Sequence, residues 1–117
     1  MANSELESLR DALREFARQR DWDPFHTPKN LAAALSVEAA ELLEHFQWLT
    51  PEQSAQLTDE ARAGVREELA DVLLYLIRLA DKVDIDLIEA AQAKLAVNAR
   101  KYPAAKARGN ARKYQEL

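Results

Sequence analysis

Two pairs of acidic residues carry the most chemical promise in this chain. Glu38-Ala39-Ala40-Glu41 and Glu68-Leu69-Ala70-Asp71 each set two carboxylates three residues apart, a spacing that projects both from one face of a helix about a turn apart. Four such groups converging in a partly dry space repel one another and hold their protons more tightly, unless cations sit among them. An all-oxygen donor set suits hard divalent ions such as Mg²⁺, Mn²⁺ or Ca²⁺, and Mg²⁺ in particular shares a few carboxylates with waters and substrate phosphates. Either pair taken alone is more often just the solvated face of a helix. Glu38 adds a second signal, because it fills the vacant place in the apolar stripe of Leu31, Leu35 and Leu42, where a core pattern calls for leucine. A di-iron bundle fits less well. Such centres draw on Glu-x-x-His, whereas His45 follows Glu41 by four residues and is read as a surface residue. The chain has no cysteine, so disulfides, thiolate metal sites and cysteine nucleophiles are excluded together.

The elements that must position these residues are helices. Leu6, Leu9, Leu13 and Phe16 recur at helical spacing, predicting an amphipathic helix from about Ser4 to Arg20. The segment Asp21 to Pro28 breaks the period with two prolines and three large rings, and is expected to be an ordered loop. Thr27 can cap the next helix with Pro28 at its first position, and that helix runs to about Trp48. Thr50 and Gln53 form a capping-box signature for a short helix or turn. A third long helix spans about Asp59 to Lys82, with an apolar series of Val65, Leu69, Val72, Leu76 and Leu79 and with Glu68 and Asp71 on its flank. Asp86 and Glu89 form another capping box, opening a helix that Pro103 stops by about Tyr102. Residues 104–117 carry Gly109 and several cations and read as a tail.

The scarcity of glycine, with two in 117 residues, and of β-branched residues points away from a sheet protein. The expected fold is all-α, an antiparallel four-helix bundle-like unit whose facing side chains build a site in the interior. The length suits one domain over residues 1–117, with a helical unit from about 4 to 102 and a basic tail from 103 to 117. A formal net charge of −4 argues against binding a nucleic-acid polymer. The stretch from Met1 to Arg20 is charged throughout and has no apolar core for a signal peptide or membrane span; a cytoplasmic location without membrane attachment is expected. Trp22, His26, Trp48 and Tyr75 are more rings than a small bundle core calls for, and rings stack on nucleobases; core or interface packing is the competing role, as strong as stacking for Tyr75, weaker for the two Trp, and weaker still for His26 in its Pro-flanked loop beside Trp22. From Arg100 to Lys113 the chain is cationic without an acid, a reversal of sign that would steer a triphosphate.

Several motifs occur in order: Trp22-Asp23-Pro24-Phe25-His26-Thr27-Pro28-Lys29-Asn30-Leu31, then Glu38-Ala39-Ala40-Glu41 leading to Phe46-Gln47-Trp48. After them come Glu67-Glu68-Leu69-Ala70-Asp71-Val72-Leu73-Leu74-Tyr75-Leu76 and Asn98-Ala99-Arg100-Lys101-Tyr102-Pro103. Over nearly the whole chain this resembles the MazG-like all-α nucleotide pyrophosphohydrolases, the dCTP pyrophosphatases above all. The resemblance implies cleavage of a nucleoside triphosphate, dCTP or a modified dCTP, between its α- and β-phosphates, giving monophosphate and pyrophosphate. It implies Glu38, Glu41, Glu68 and Asp71 as ligands of Mg²⁺, with Mn²⁺ as a substitute. It assigns Trp22, His26 and Trp48 to the nucleoside pocket, and Asn98, Lys101 and Tyr102 of the matched motif are candidate substrate contacts, as Tyr75 is by its ring. The relatives assemble as dimers or tetramers, so a homo-oligomer is expected. Metal-activated water makes a protein nucleophile unnecessary, and Glu41 is the candidate for taking its proton. Bacterial relatives often carry Lys where this chain has Val97, which leaves that phosphate contact to Arg100 or the tail. The competing readings are a broad-range or dUTP-directed pyrophosphohydrolase, and a non-catalytic helical interaction module.

Overall fold

The computed structural model describes residues 4–117, and every regular element among them is helical. The elements are α1 (Glu5–Gln19), a 3₁₀ turn at Asp23–Phe25, α2 (Pro28–Glu44), α3 (Pro51–Ser54), α4 (Asp59–Lys82), α5 (Leu87–Lys101), α6 (Ala104–Ala107) and a 3₁₀ turn at Tyr114–Glu116. They fall into two compact units that divide between Asp84 and Ile85.

In the first unit α1 and α2 both pack on α4. Local chemistry sets the boundaries. Ser4, Thr27, Thr50 and Thr58 each accept a hydrogen bond from a backbone N–H of the first turn they cap, meeting donors that a helix start leaves unpaired. Thr50 and Gln53 form both halves of their capping box. At the end of α1, Trp22 N–H reaches the Ala17 carbonyl (2.9 Å) and Asp21 N–H that of Arg18 (3.2 Å), the paired closure of a Schellman turn. The turn needs a left-handed residue, and Asp21 supplies it at φ 53°, with a short polar side chain in glycine's usual place. Beyond it, Asn30 Nδ2 donates to the Phe25 carbonyl at 2.9 Å and ties the loop to the start of α2. The loop expected over residues 21–28 is therefore ordered, and it contains a 3₁₀ turn.

Helix α2 stops at Glu44, four residues before the expected Trp48. From there Phe46 N–H bonds the Leu43 carbonyl and Leu49 N–H that of Phe46, each at 2.9 Å, so the α ladder tightens into successive turns.

The buried apolar residues are few: Ala17, Leu31, Val65, Ile77 and Ala80. The stripe expected on α4 is only partly inward, since Leu69 and Leu76 are exposed together with Leu73. With α1 and α2 already packed on α4, a face carrying these three leucines is left uncovered, and Arg78, 6% exposed, lies in the interior instead.

The second unit holds α5, α6 and the final turn. Asp86 caps α5 by accepting from Glu89 N–H, which is its half of the expected box, and Tyr102 ends the helix before Pro103. Residues 104–117 are more than a tail. Tyr114 packs edge-on against Tyr102 with 6.1 Å between ring centroids, and Lys101 Nζ lies 4.7 Å from the centre of the Tyr114 ring, a cation–π contact.

Candidate active site

Helices α2 and α4 bring three of the four singled-out carboxylates together. One oxygen from each of Glu38, Glu41 and Glu68 lies within 4.8 Å of the other two. The helices run antiparallel here, because Glu38 meets Glu68 while His45, further along α2, meets Gly64, earlier on α4. Glu38 follows Leu31 by seven residues, two turns along one face of α2, and Leu31 is 1% exposed. The stripe that buries leucine therefore carries a carboxylate inward.

Oε2 of Glu38 and Oε2 of Glu68 are buried and meet no donor. Carboxylates only accept when ionised, so two of them face to face require a proton or a cation. The pKa of Glu38 is raised accordingly, first by the hydrogen bond it must share with Glu68 and then by burial, with Asp71 adding repulsion. That of Glu41 is raised by the neighbouring Glu38. Asp71 is exposed on the turn after Glu68, outside the trio but close enough for Glu38 to feel its charge. Orphaned acceptors, an all-oxygen donor set and mutual repulsion fit a hard divalent cation.

Glu68, Asp71, Tyr75, Arg78 and Lys82 follow one another at alternating steps of three and four, so they share one face of α4. At 1.5 Å per residue, the levels of Glu68 and Arg78 are about 15 Å apart, the scale of one extended nucleotide. At the far end of that face sits a cluster that sequence reading missed. Arg78 Nη2 donates to Asp23 Oδ1 at 2.8 Å and Nε to His26 Nδ1 at 3.2 Å, while Nη1 lies 3.5 Å from Asp81 Oδ2. Lys82 Nζ also reaches Asp23 Oδ1, at 2.5 Å, and Arg14 grips Asp81 through two nitrogens at 2.7 and 2.5 Å. Asp23 is held below the usual carboxylate range chiefly by Lys82, and Asp81 chiefly by Arg14. The signal that could have found the cluster was the 3-4-3-4 run of polar residues on α4, which passes from acids to bases.

Of the predicted substrate residues, Trp22 and His26 are brought together, their rings edge-on at 6.1 Å, and Phe16 buttresses Trp22 at 5.7 Å. Tyr75 is half-buried, one turn from both Asp71 and Arg78 on α4. Trp48 stands 86% exposed in the turn after α2, apart from the Trp22–His26 pair. Asn98, Lys101 and Tyr102 are half-buried at the end of α5, in the second unit. His45 is not the surface residue expected. It is half-buried with its ring on α4, where a Cβ added at Gly64 would stand 2.6 Å from His45 Cε1.

The sequence model of the MazG-like family matches residues 33–117, which takes in both carboxylate pairs, the first unit from within α2 onward and the whole of the second. The chain belongs to the MazG-like family. Among curated relatives of this MazG-like protein, human dCTP pyrophosphatase 1 is 46% identical over 114 residues, covering 96% of this chain and 67% of that protein. Its Bos taurus counterpart is 43% identical, covering 96% and 68%. Among solved structures, a pyrophosphatase from Archaeoglobus fulgidus superposes with a TM-score of 0.82 at 45% identity, covering 88% of this chain and 96% of that one. The all-α MazG-like fold is thus shared along most of both chains.

Proposed function

We propose that this MazG-like protein is a nucleoside triphosphate pyrophosphohydrolase that cleaves dCTP, or a modified dCTP, to the monophosphate and pyrophosphate, with residues 1–117 acting as one functional domain. The observation that carries the reading is the pair of buried, donorless oxygens on Glu38 and Glu68, set in a chain 46% identical to a dCTP pyrophosphatase. Glu38, Glu41 and Glu68, with Asp71 on the next turn, would hold Mg²⁺, or Mn²⁺ in its place. When bound, such an ion supplies charge neutralisation on the phosphates and a more acidic water.

The chain's own residues do the rest. Glu41, set beside Glu38 and Glu68, takes the proton of the attacking water. Water oxygen bonds to the α-phosphorus, the bond to the bridging oxygen breaks, and pyrophosphate leaves. Trp22 and His26 receive the nucleoside, with Tyr75 between them and the carboxylates along α4. Asn98, Lys101 and Tyr102 are proposed as substrate contacts on their motif alone. The exposed Leu69, Leu73 and Leu76 of α4, Val37 and Leu43 of α2, and Trp48 are apolar surface of the kind a subunit covers, which supports a homodimer or tetramer. No helix among the described residues is long and apolar enough to cross a membrane, and we place the enzyme in the cytoplasm.

Product analysis from dCTP tests the reaction. Monophosphate with pyrophosphate is the expected outcome. Diphosphate with phosphate would move the attack to the terminal phosphorus, and no metal-dependent release from any triphosphate would favour a non-catalytic helical module.

A further inference from the structure

The geometry points to Arg78 as a positioning residue of the base pocket: it donates to His26 Nδ1 and thereby holds His26 as a neutral imidazole that offers Nε2–H to an acceptor on the substrate base. The inference rests on the placement of His26 in the nucleoside pocket proposed above.

A guanidinium has five N–H donors and no acceptor. Its Nε can meet His26 Nδ1 at 3.2 Å only if Nδ1 is the unprotonated nitrogen of the ring. The proton of a neutral imidazole then belongs to Nε2. Arg78 has no freedom to turn away. It is 6% exposed, Nη2 is committed to Asp23 and Nη1 faces Asp81, while Asp81 is itself clamped by Arg14.

The charged groups facing His26 are Arg78 and Lys82 from α4 and Asp23 from the 3₁₀ turn, and Trp22 packs edge-on against the ring. Burial and the two cations outweigh Asp23 and lower the pKa of His26, so the imidazolium that would disrupt the contact is disfavoured. Among the described residues Nε2 takes no partner. Among the described residues the buried side-chain atoms without a hydrogen-bond partner are Oε2 of Glu38 and Oε2 of Glu68, so His26 Nε2 reaches solvent and can meet a ligand. A fixed N–H selects an acceptor edge, which cytosine presents at N3 and O2, and turns away a donor such as the 4-amino group.

The chain has two histidines, so long-range ¹H–¹⁵N spectra of the whole protein resolve both rings. At neutral pH His26 is expected in the Nε2–H form, and in Arg78→Met it should become a tautomer mixture that titrates at higher pH. Arg78→Lys keeps the charge and loses the fork. It should raise KM for dCTP about tenfold while kcat changes less than about twofold, with unchanged Mg²⁺ dependence, and it should have no further effect in a His26→Ala background. A purely structural arginine would lower the melting temperature without that coupling. An Nδ1–H tautomer in the parent protein overturns the inference whether or not the protein is active, and so does an active Arg78→Lys enzyme with an unaltered KM. Absence of pyrophosphate release from the parent would instead sink the proposed reaction and leave the tautomer result standing.

Discussion

Substituting Gly64→Ala should both loosen the fold and spread the carboxylate site. The added Cβ would stand 2.6 Å from His45 Cε1 and 3.2 Å from its Nδ1, whereas carbon atoms pack best at about 3.5–4.0 Å, so the His45 ring must give way by roughly 1 Å. Overpacking of this kind costs about 1–3 kcal/mol, and alanine in place of glycine returns about 1 kcal/mol of helix propensity. The net loss is up to about 2 kcal/mol, and at about 4–8 °C per kcal/mol for a small domain the melting temperature should fall by as much as about 15 °C. His45 lies one turn beyond Glu41, and Gly64 one turn before Glu68, so the wedge acts next to the carboxylates. A displacement of about 1 Å near a reacting centre costs about 100-fold in rate. Thermal melts and steady-state turnover would be measured for the parent, Gly64→Ala, His45→Ala and the double variant. In the double variant the clash is gone and the propensity gain remains, so the two changes should couple favourably. If Gly64→Ala alone raises the melting temperature and keeps full activity, His45 does not pack on α4 and the reasoning fails.

Glu38→Gln should lower turnover at least about 100-fold with helical content intact. Metal-free melting should hold or rise as repulsion is relieved, and the Mg²⁺-induced rise in melting temperature should be largely lost; normal turnover with an unchanged Mg²⁺ response would show that Glu38 is not a ligand. Asp81, whose pKa is lowered chiefly by Arg14, contributes stability that is present above its unfolded pKa of about 3.9 and is lost as pH falls through its folded value. Asp81→Asn should therefore flatten the acid limb of a stability–pH profile below about pH 4, and an unchanged limb would count against the Arg14–Asp81 pair.

Much of the fold was legible because its signals are local. Thr27-Pro28, Thr50 with Gln53 and Asp86 with Pro103 act within one turn of chain, so a sequence pattern is enough to place those helix ends. Residues 45–48 escaped that reading, since their turns depend on where His45 and its neighbours find room against α4. The carboxylate trio lay between the two cases. Spacing put each pair on one helix face and the stripe of Leu31 turned Glu38 inward, but spacing within one helix cannot say which face of another it meets. Packing α2 antiparallel on α4 decided that Glu38, Glu41 and Glu68 converge while Asp71 stays on the exposed turn. Arg78 lay furthest from view. Sequence treats an arginine among leucines as a surface residue, and what makes it tolerable in the interior is Asp23, 55 residues away. A buried charge is stable only where its partners are delivered to it, and tertiary structure alone delivers them.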